Sequence, residues 1–568
     1  MNTAIHIRER ASFAHQLVAV VSFVLFVVNT GEAASTWHVK AAASKGGNGT
    51  RNRPMSTLQE VETVSRPGDT IRVIPSKEAL DGGIQLKDGQ RLIGLGDPVT
   101  KADPNSPHAT IANTTNSRYD GDAVRLANNN LVQNIHVDGA VRSGIFGVNA
   151  RSAQIRNNLI TNNMIDGNNL RDLETRFILY PSQGNHFAGI TLVSCGPAAS
   201  SYCVMHAPTT PAIANTDHIV IAGNVIRDSN LEGIILLTDT GVIASYTLTD
   251  NLVKDLSLNL PRPESLAPPV GIVRSRAFTL IALNASQVTV NMTGFRAENL
   301  APVGNYASDG VVFLTGGSGP LVNAHVSDLV VLNPHRTGEV NNGDSVEIQH
   351  RGTSNGVLNI DITRAELRDP ASANIKILEA QNPSNGVYKI SISDSVLSNS
   401  NPAGGPDAQI RFSGASSGAT KALNLAVKNT KISGIGGGIG VMNANNLDTL
   451  AVLVEHSSLS DLTQAIDAPP GSAIYVSHPA DRTLGTAIID LGGGPLGSRG
   501  NNRFVNKTLS DVSVTNRNSA TPPIKVDASG NYWGGGPPVI APAMPTDVLL
   551  SGNVTFSAPT HLTADPAH

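Results

Sequence analysis

A short phrase recurs along this chain: alternating apolar residues, a polar turn rich in Asn, Asp or Ser, then another short apolar run. It reads Leu131-Val132-Gln133-Asn134-Ile135-His136-Val137-Asp138-Gly139, and again Asp217-His218-Ile219-Val220-Ile221-Ala222-Gly223-Asn224-Val225-Ile226. Later copies are Val288-Thr289-Val290-Asn291-Met292, Val357-Leu358-Asn359-Ile360-Asp361-Ile362, Val387-Tyr388-Lys389-Ile390-Ser391-Ile392 and Leu423-Asn424-Leu425-Ala426-Val427-Lys428-Asn429. A unit this short can bury its apolar side only against the next unit, so the phrase demands a stacked solenoid. Such a core grows along one axis, and 568 residues need not divide into several globules.

Charge and composition narrow the partners. Charged residues make up 15% of the chain, too few for a disordered polyelectrolyte, and the 54 glycines suit short strands with many turns. A formal net charge of -4 offers no basic field for nucleic acid and no polybasic membrane patch. Aromatics at 4% are too scarce for a broad stacking platform. At the N-terminus, His6, Arg8 and Arg10 precede an apolar run over 17–28 and the small residues Gly31 and Ala33. That layout predicts a signal peptide cleaved after Ala33, because the run is shorter than the ~20 residues a membrane span needs. The expectation is a secreted, periplasmic or cell-surface protein, monomeric and without membrane insertion. Cys195 and Cys203 bracket a small Gly/Pro/Ser loop, which in an oxidising compartment reads as a disulfide.

Past the leader, Ser56 caps an amphipathic stretch to Val64, with Leu58, Val61 and Val64 on one face, laid over the open end of the first coil. The run Gly49-Thr50, Pro54, Thr57-Leu58-Gln59 and Pro67-Gly68-Asp69-Thr70-Ile71-Arg72-Val73 resembles the cap and first coils of secreted right-handed parallel β-helix proteins. That superfamily includes pectate lyases and polygalacturonases. Asn531-Tyr532-Trp533-Gly534 is similar to the closing turn of its bacterial members. The resemblance implies an all-β parallel β-helix with a short N-terminal capping helix, and a polysaccharide as partner. The expected organisation is a signal peptide at 1–33, a cap and first coils at 34–100, the β-helix at 101–540 with an insertion at 171–216, and a C-terminal tail at 541–568. Two kinds of strand are expected per coil, the second following a small-residue turn as in Asp309-Gly310-Val311 and Asp344-Ser345-Val346.

No intact catalytic motif stands in the chain. The polygalacturonase pattern wants an Asn-Thr-Asp, a double Asp, a Gly-His-Gly and an Arg-Ile-Lys; Asn215-Thr216-Asp217 matches the first, but Gly343-Asp344-Ser345 gives no double Asp, Asn374-Ile375-Lys376 puts Asn for the Arg, and there is no Gly-His-Gly. Stacking supplies candidates instead. With Val346, Ile348, Ile375, Ile377, Ile410 and Phe412 inward, alternation sends Glu347, Lys376 and Arg411 outward in one column. Lys376 or Arg411 is then the expected base of a β-elimination, the other cation steadying the developing negative charge. The bland alternative is an exposed charge ladder worth roughly 0.2–1 kcal/mol per pair. Asp344, His350, Arg351, Tyr180 and His186 are the expected substrate-binding residues. Asp309 and Asp344 form a second carboxylate pair, although turn chemistry alone also selects Asp there. No metal ligand set is assigned, and calcium is the only cofactor under consideration. The functional expectation is an exported protein that binds an acidic polysaccharide and cleaves it as a lyase or glycoside hydrolase. The alternative is a non-catalytic surface or envelope adhesion protein.

Overall fold

The computed structural model describes residues 33–566 except 100–106, 116, 164–187, 198–210, 230–231, 257–273, 301–306, 335–342, 353, 379–384, 401–407, 414–419, 443–445, 464–471, 507–509 and 541–546. Its described strands form three parallel sheets of 16, 14 and 14 strands, and from the third strand onward each pairs with the one three places on in the chain. That spacing is a parallel β-helix with three strands per coil. Like side chains stack in its interior. One core column runs Ile155, Ile221, Leu248, Met292, Val326, Ile362, Ile392, Val427 and Val454 through successive register pairs. Each such side chain removed from water contributes on the order of 1.5–3 kcal/mol.

Two kinds of strand per coil were expected and three are present. The sequence phrase hides a corner: Leu131–Gln133 and His136–Ala140 are separate strands of different sheets, divided by Asn134 and Ile135. The first residue of this two-residue corner has positive φ on coil after coil, at Asn134, Asn157, Asp250, Asp328, Arg364, Asp394, Asn429, His456 and Asn501, with glycine at 223, 294 and 530. Asn, Asp and Gly tolerate that left-handed backbone best, which explains their recurrence.

The second corner residue carries an amide ladder. Asn158 Nδ2 donates to Asn224 Oδ1 at 2.9 Å, and Asn224 Nδ2 donates to Asn251 Oδ1 at 2.9 Å. Each amide also donates to a backbone carbonyl, Asn158 to Val132, Asn224 to Ile155 and Asn251 to Ile221. Phe295, Leu329 and Ala365 fill the same place on later coils, and Asn502 and Asn531 resume the ladder at 3.0 Å. Polar groups this deeply buried need such partners.

The N-terminal helix is Leu58–Val64, capped by Thr57 rather than Ser56 in a capping box with Glu60. Leu58 and Val61 are buried, while Val64 is exposed. At the other end, the expected tail instead contributes Val548–Gly552, Val554–Ser557 and His561–Leu562, one strand to each sheet. Residues 548–562 therefore build a final coil. Trp533 stacks on Phe504 with ring centroids 4.8 Å apart. The leader falls outside the described residues, except for Ala33.

Asn224→Ala should lower stability by roughly 2–4 kcal/mol, because it strips partners from Asn158 and Asn251 inside the core. Denaturant unfolding followed by circular dichroism measures this. A change below about 0.5 kcal/mol would contradict a structural role for the ladder.

Candidate functional site

The second 14-stranded sheet places Glu232–Asp239, Arg274–Leu283, Ala307–Gly316, Val346–Arg351, Ile375–Leu378 and Ala408–Ser413 side by side. Val346, Ile348, Ile375, Ile377, Ile410 and Phe412 enter the core. Glu347, Lys376 and Arg411 are register partners on the opposite side. The column is as the alternation predicts, but it is not an exposed ladder. Glu347 is 0% exposed, and the Lys376 side chain is 12% exposed.

The strand starts hold a second column. Glu232 pairs in register with Arg276, and Arg276 with Asp309. One coil further, Asp344 N donates to Asp309 Oδ1 at 3.3 Å. Asp309, Asp344 and Glu347 thus converge, with one carboxylate oxygen from each lying within 4.8 Å of the others and all three residues buried. Carboxylates this close need cations or protons among them. Lys376 Nζ lies 3.1 Å from Asp344 Oδ2. Arg276 Nε donates to Asp309 Oδ2 at 3.3 Å, and Arg351 Nη2 lies 4.0 Å from Glu347 Oε1. The Ala373 backbone N–H donates to Asp344 Oδ1 at 3.0 Å.

These surroundings set the protonation states. Burial pushes Asp344 up to about 6; Lys376 opposes the shift, while Asp309 and Glu347 reinforce it. Burial also works against the charge on Lys376, but the carboxylates of Asp344, Glu347 and Asp309 outweigh it and hold its pKa above the ordinary lysine value. Lys376 is therefore a standing cation, and the expectation that it serves as the base is corrected on that ground. Burial pushes Glu232 up to about 7, with Arg276 drawing it partway back. Its Oε2 is buried without a hydrogen-bond partner.

The other expected site residues fare unevenly. His350 turns into the core, so it is not a substrate ligand. Its ring lies 4.4 Å from that of Tyr388, its backbone N–H donates to the Tyr388 hydroxyl at 3.1 Å, and burial lowers its pKa to about 4. Arg351 and Arg411 lie on the outer side, half-buried; Arg411 Nε donates to Ser413 Oγ at 2.7 Å. Tyr180, His186 and Cys203 lie outside the described residues. Cys195 ends the buried strand Ile190–Cys195. Arg276, which no sequence motif singles out, lies in the strand Arg274–Leu283. The signal that it faces Asp309 is the register, which composition does not carry.

Three carboxylates are hard oxygen donors of the kind that bind calcium or magnesium. Here Lys376 and Arg276 already occupy the Asp344 and Asp309 oxygens, and their charge opposes a divalent ion. The residues do not fit a resident metal. They do fit acid–base work: one carboxyl titrates near neutrality beside others held by fixed cations.

Two outcomes are expected. A folded-state pKa above the unfolded value means the folded chain binds that proton more tightly. The Glu232 contribution is therefore complete below about pH 4.5 and is lost as pH rises through about 7, roughly 3 kcal/mol in all. Glu232→Gln should flatten the fall in melting temperature across this window; an unchanged profile would contradict the assignment. Calcium at millimolar concentration should leave the melting temperature unchanged, whereas a saturable rise would place an ion among the carboxylates.

No family model matches the chain, and no curated protein does. Solved structures similar to it include the A-modules of the mannuronan C-5 epimerases AlgE6 and AlgE4 from Azotobacter vinelandii. Identity is 12% and 13%, covering 74% and 72% of this chain and 93% and 91% of theirs, at TM-scores of 0.34 and 0.30. A polygalacturonase from Erwinia carotovora ssp. carotovora is 10% identical over 94% of this chain and 97% of its own, at a TM-score of 0.27. The resemblance is one of fold, to β-helix enzymes that act on polysaccharides. At these scores it carries nothing about which residues work, or on what.

Proposed function

We propose that this chain is exported and acts on an acidic polysaccharide by acid–base chemistry at Asp309, Asp344 and Glu347. The observation that carries the reading is the convergence of these carboxylates beneath a cationic rim. Lys376, Arg351 and Arg411 reach the solvent side, so a uronate chain meets positive charge first and carboxyls below it. Below about pH 6 Asp344 takes up a proton that it gives to a leaving glycosidic oxygen, its ion pair with Lys376 loosening as it does so, while a neighbouring carboxylate acts as base or nucleophile and keeps Lys376 charged. Hydrolysis fits better than β-elimination, because Lys376 stays protonated in its ion pair.

The burial of Glu347 favours a second reading, in which the same rim grips an acidic glycan without cutting it. Export and a cell-surface, periplasmic or secreted location belong to both readings. Among the described residues no helix is long and apolar enough to cross a membrane.

A screen on polygalacturonate, pectate, alginate and glycosaminoglycans, read by reducing ends and by unsaturated-uronate absorbance, separates the possibilities. The expected result is new reducing ends without unsaturated product. Glu347→Gln and Asp344→Asn should each lower turnover about 100-fold or more. Binding without turnover on every polymer would leave the adhesion reading in its place.

A further inference from the structure

The 16-stranded sheet carries a groove that the proposed acid–base site does not use. It has a volume of about 640 Å³ and is lined from five successive coils. Two outward columns make its floor. One is Asn323, Asn359, Lys389, Asn424 and Ala451; the other is His325, Asp361, Ser391, Ala426 and Leu453. From these residues we infer a second binding site, for a polyhydroxylated sugar chain lying along the solenoid axis. It goes beyond the hydrolytic reading and does not depend on it.

Three observations argue for a built site. First, amide and hydroxyl side chains recur at the strand spacing of ~4.8 Å. Four of the five coils thus offer a hydrogen-bonding group to about one sugar ring each, and Lys389 adds a charge that suits a uronate. Second, Asn359 Nδ2 donates to Asn323 Oδ1 at 2.8 Å, yet Asn359 Oδ1 is buried without a partner. The Asn359–Asn323 bond holds both amides in the groove floor before a ligand arrives, which lowers the cost of binding one. Third, Leu496 walls one end on a fixed loop. The buried Asp490 carboxylate accepts from the backbone N–H groups of Gly492, Gly494, Leu496 and Ser498 at 3.1, 3.0, 2.9 and 3.2 Å. At that end Ala426, Ala451, Leu453 and Leu496 offer an apolar surface that suits the C–H face of a pyranose.

The test is calorimetric titration of the full chain carrying Asp344→Asn, which keeps a probe from being consumed. Xylohexaose and hexagalacturonate serve as neutral and acidic probes. At least one should bind, and Asn359→Ala and Asn424→Leu should each weaken it about tenfold, or 1.4 kcal/mol. Lys431→Ala, an exposed change on the first 14-stranded sheet that belongs to neither site, should leave binding within about twofold. Binding of hexagalacturonate alone, weakened by the surface change Lys389→Glu, would make the ligand the same class of polymer proposed for the acid–base site; binding of xylohexaose alone would make it a different one. The inference is overturned if neither probe binds, if groove variants with wild-type circular dichroism bind normally, or if Lys431→Ala weakens binding as much as the groove variants do. None of these results bears on turnover, so this site and the hydrolytic reading fail separately.

Discussion

From Leu131 to Tyr532 the described coils turn their first corner at the same place, and the left-handed residue followed by a laddered one is what enforces that. A strand that slipped by one residue would carry its apolar side chains to the solvent face. The corner prevents slippage because only one residue there takes positive φ, and the next must meet its equivalents above and below. Asn158, Asn224 and Asn251 do so by hydrogen bonds, and Phe295 and Leu329 by apolar burial. The alternation of amide and hydrocarbon along one column indicates that shape and register matter more there than polarity.

Register then determines electrostatics. Glu232, Arg276 and Asp309 are far apart in sequence, yet parallel pairing sets them on adjacent strands. Asp344 and Glu347 arrive on the next coil and Lys376 on the one after. Buried charges persist only when counter-charges come with them, and here the cations are delivered by the same coils that deliver the acids. One consequence is that Lys376 cannot serve both as a neutral base and as the partner of Asp344. A second is that Glu232, at the far edge of Arg276, has a pKa near neutrality.

The coil also gives its faces different work. On the second 14-stranded sheet the outward column is charged and largely covered, whereas on the 16-stranded sheet amides, hydroxyls and small apolar groups, with Lys389, Asp361 and His325 among them, line an open groove. The difference lies in residue choice at equivalent outward positions, since the backbone is the same parallel ladder in both.

The amino-acid sequence by itself determined the solenoid, the inward columns and the alignment of Glu347 with Lys376 and Arg411, because period-two alternation and repeated corner residues are local signals. It did not reveal the third strand of each coil, since Leu131 to Gly139 reads as one apolar run until Asn134 is known to take positive φ. Nor did it reveal that His350 points inward or that residues 548–562 form a coil. Only the tertiary structure decided that Arg276 meets Asp309 and that Glu347 is buried. Both depend on how much chain each coil spends between strands, and that length is absent from any single strand's pattern.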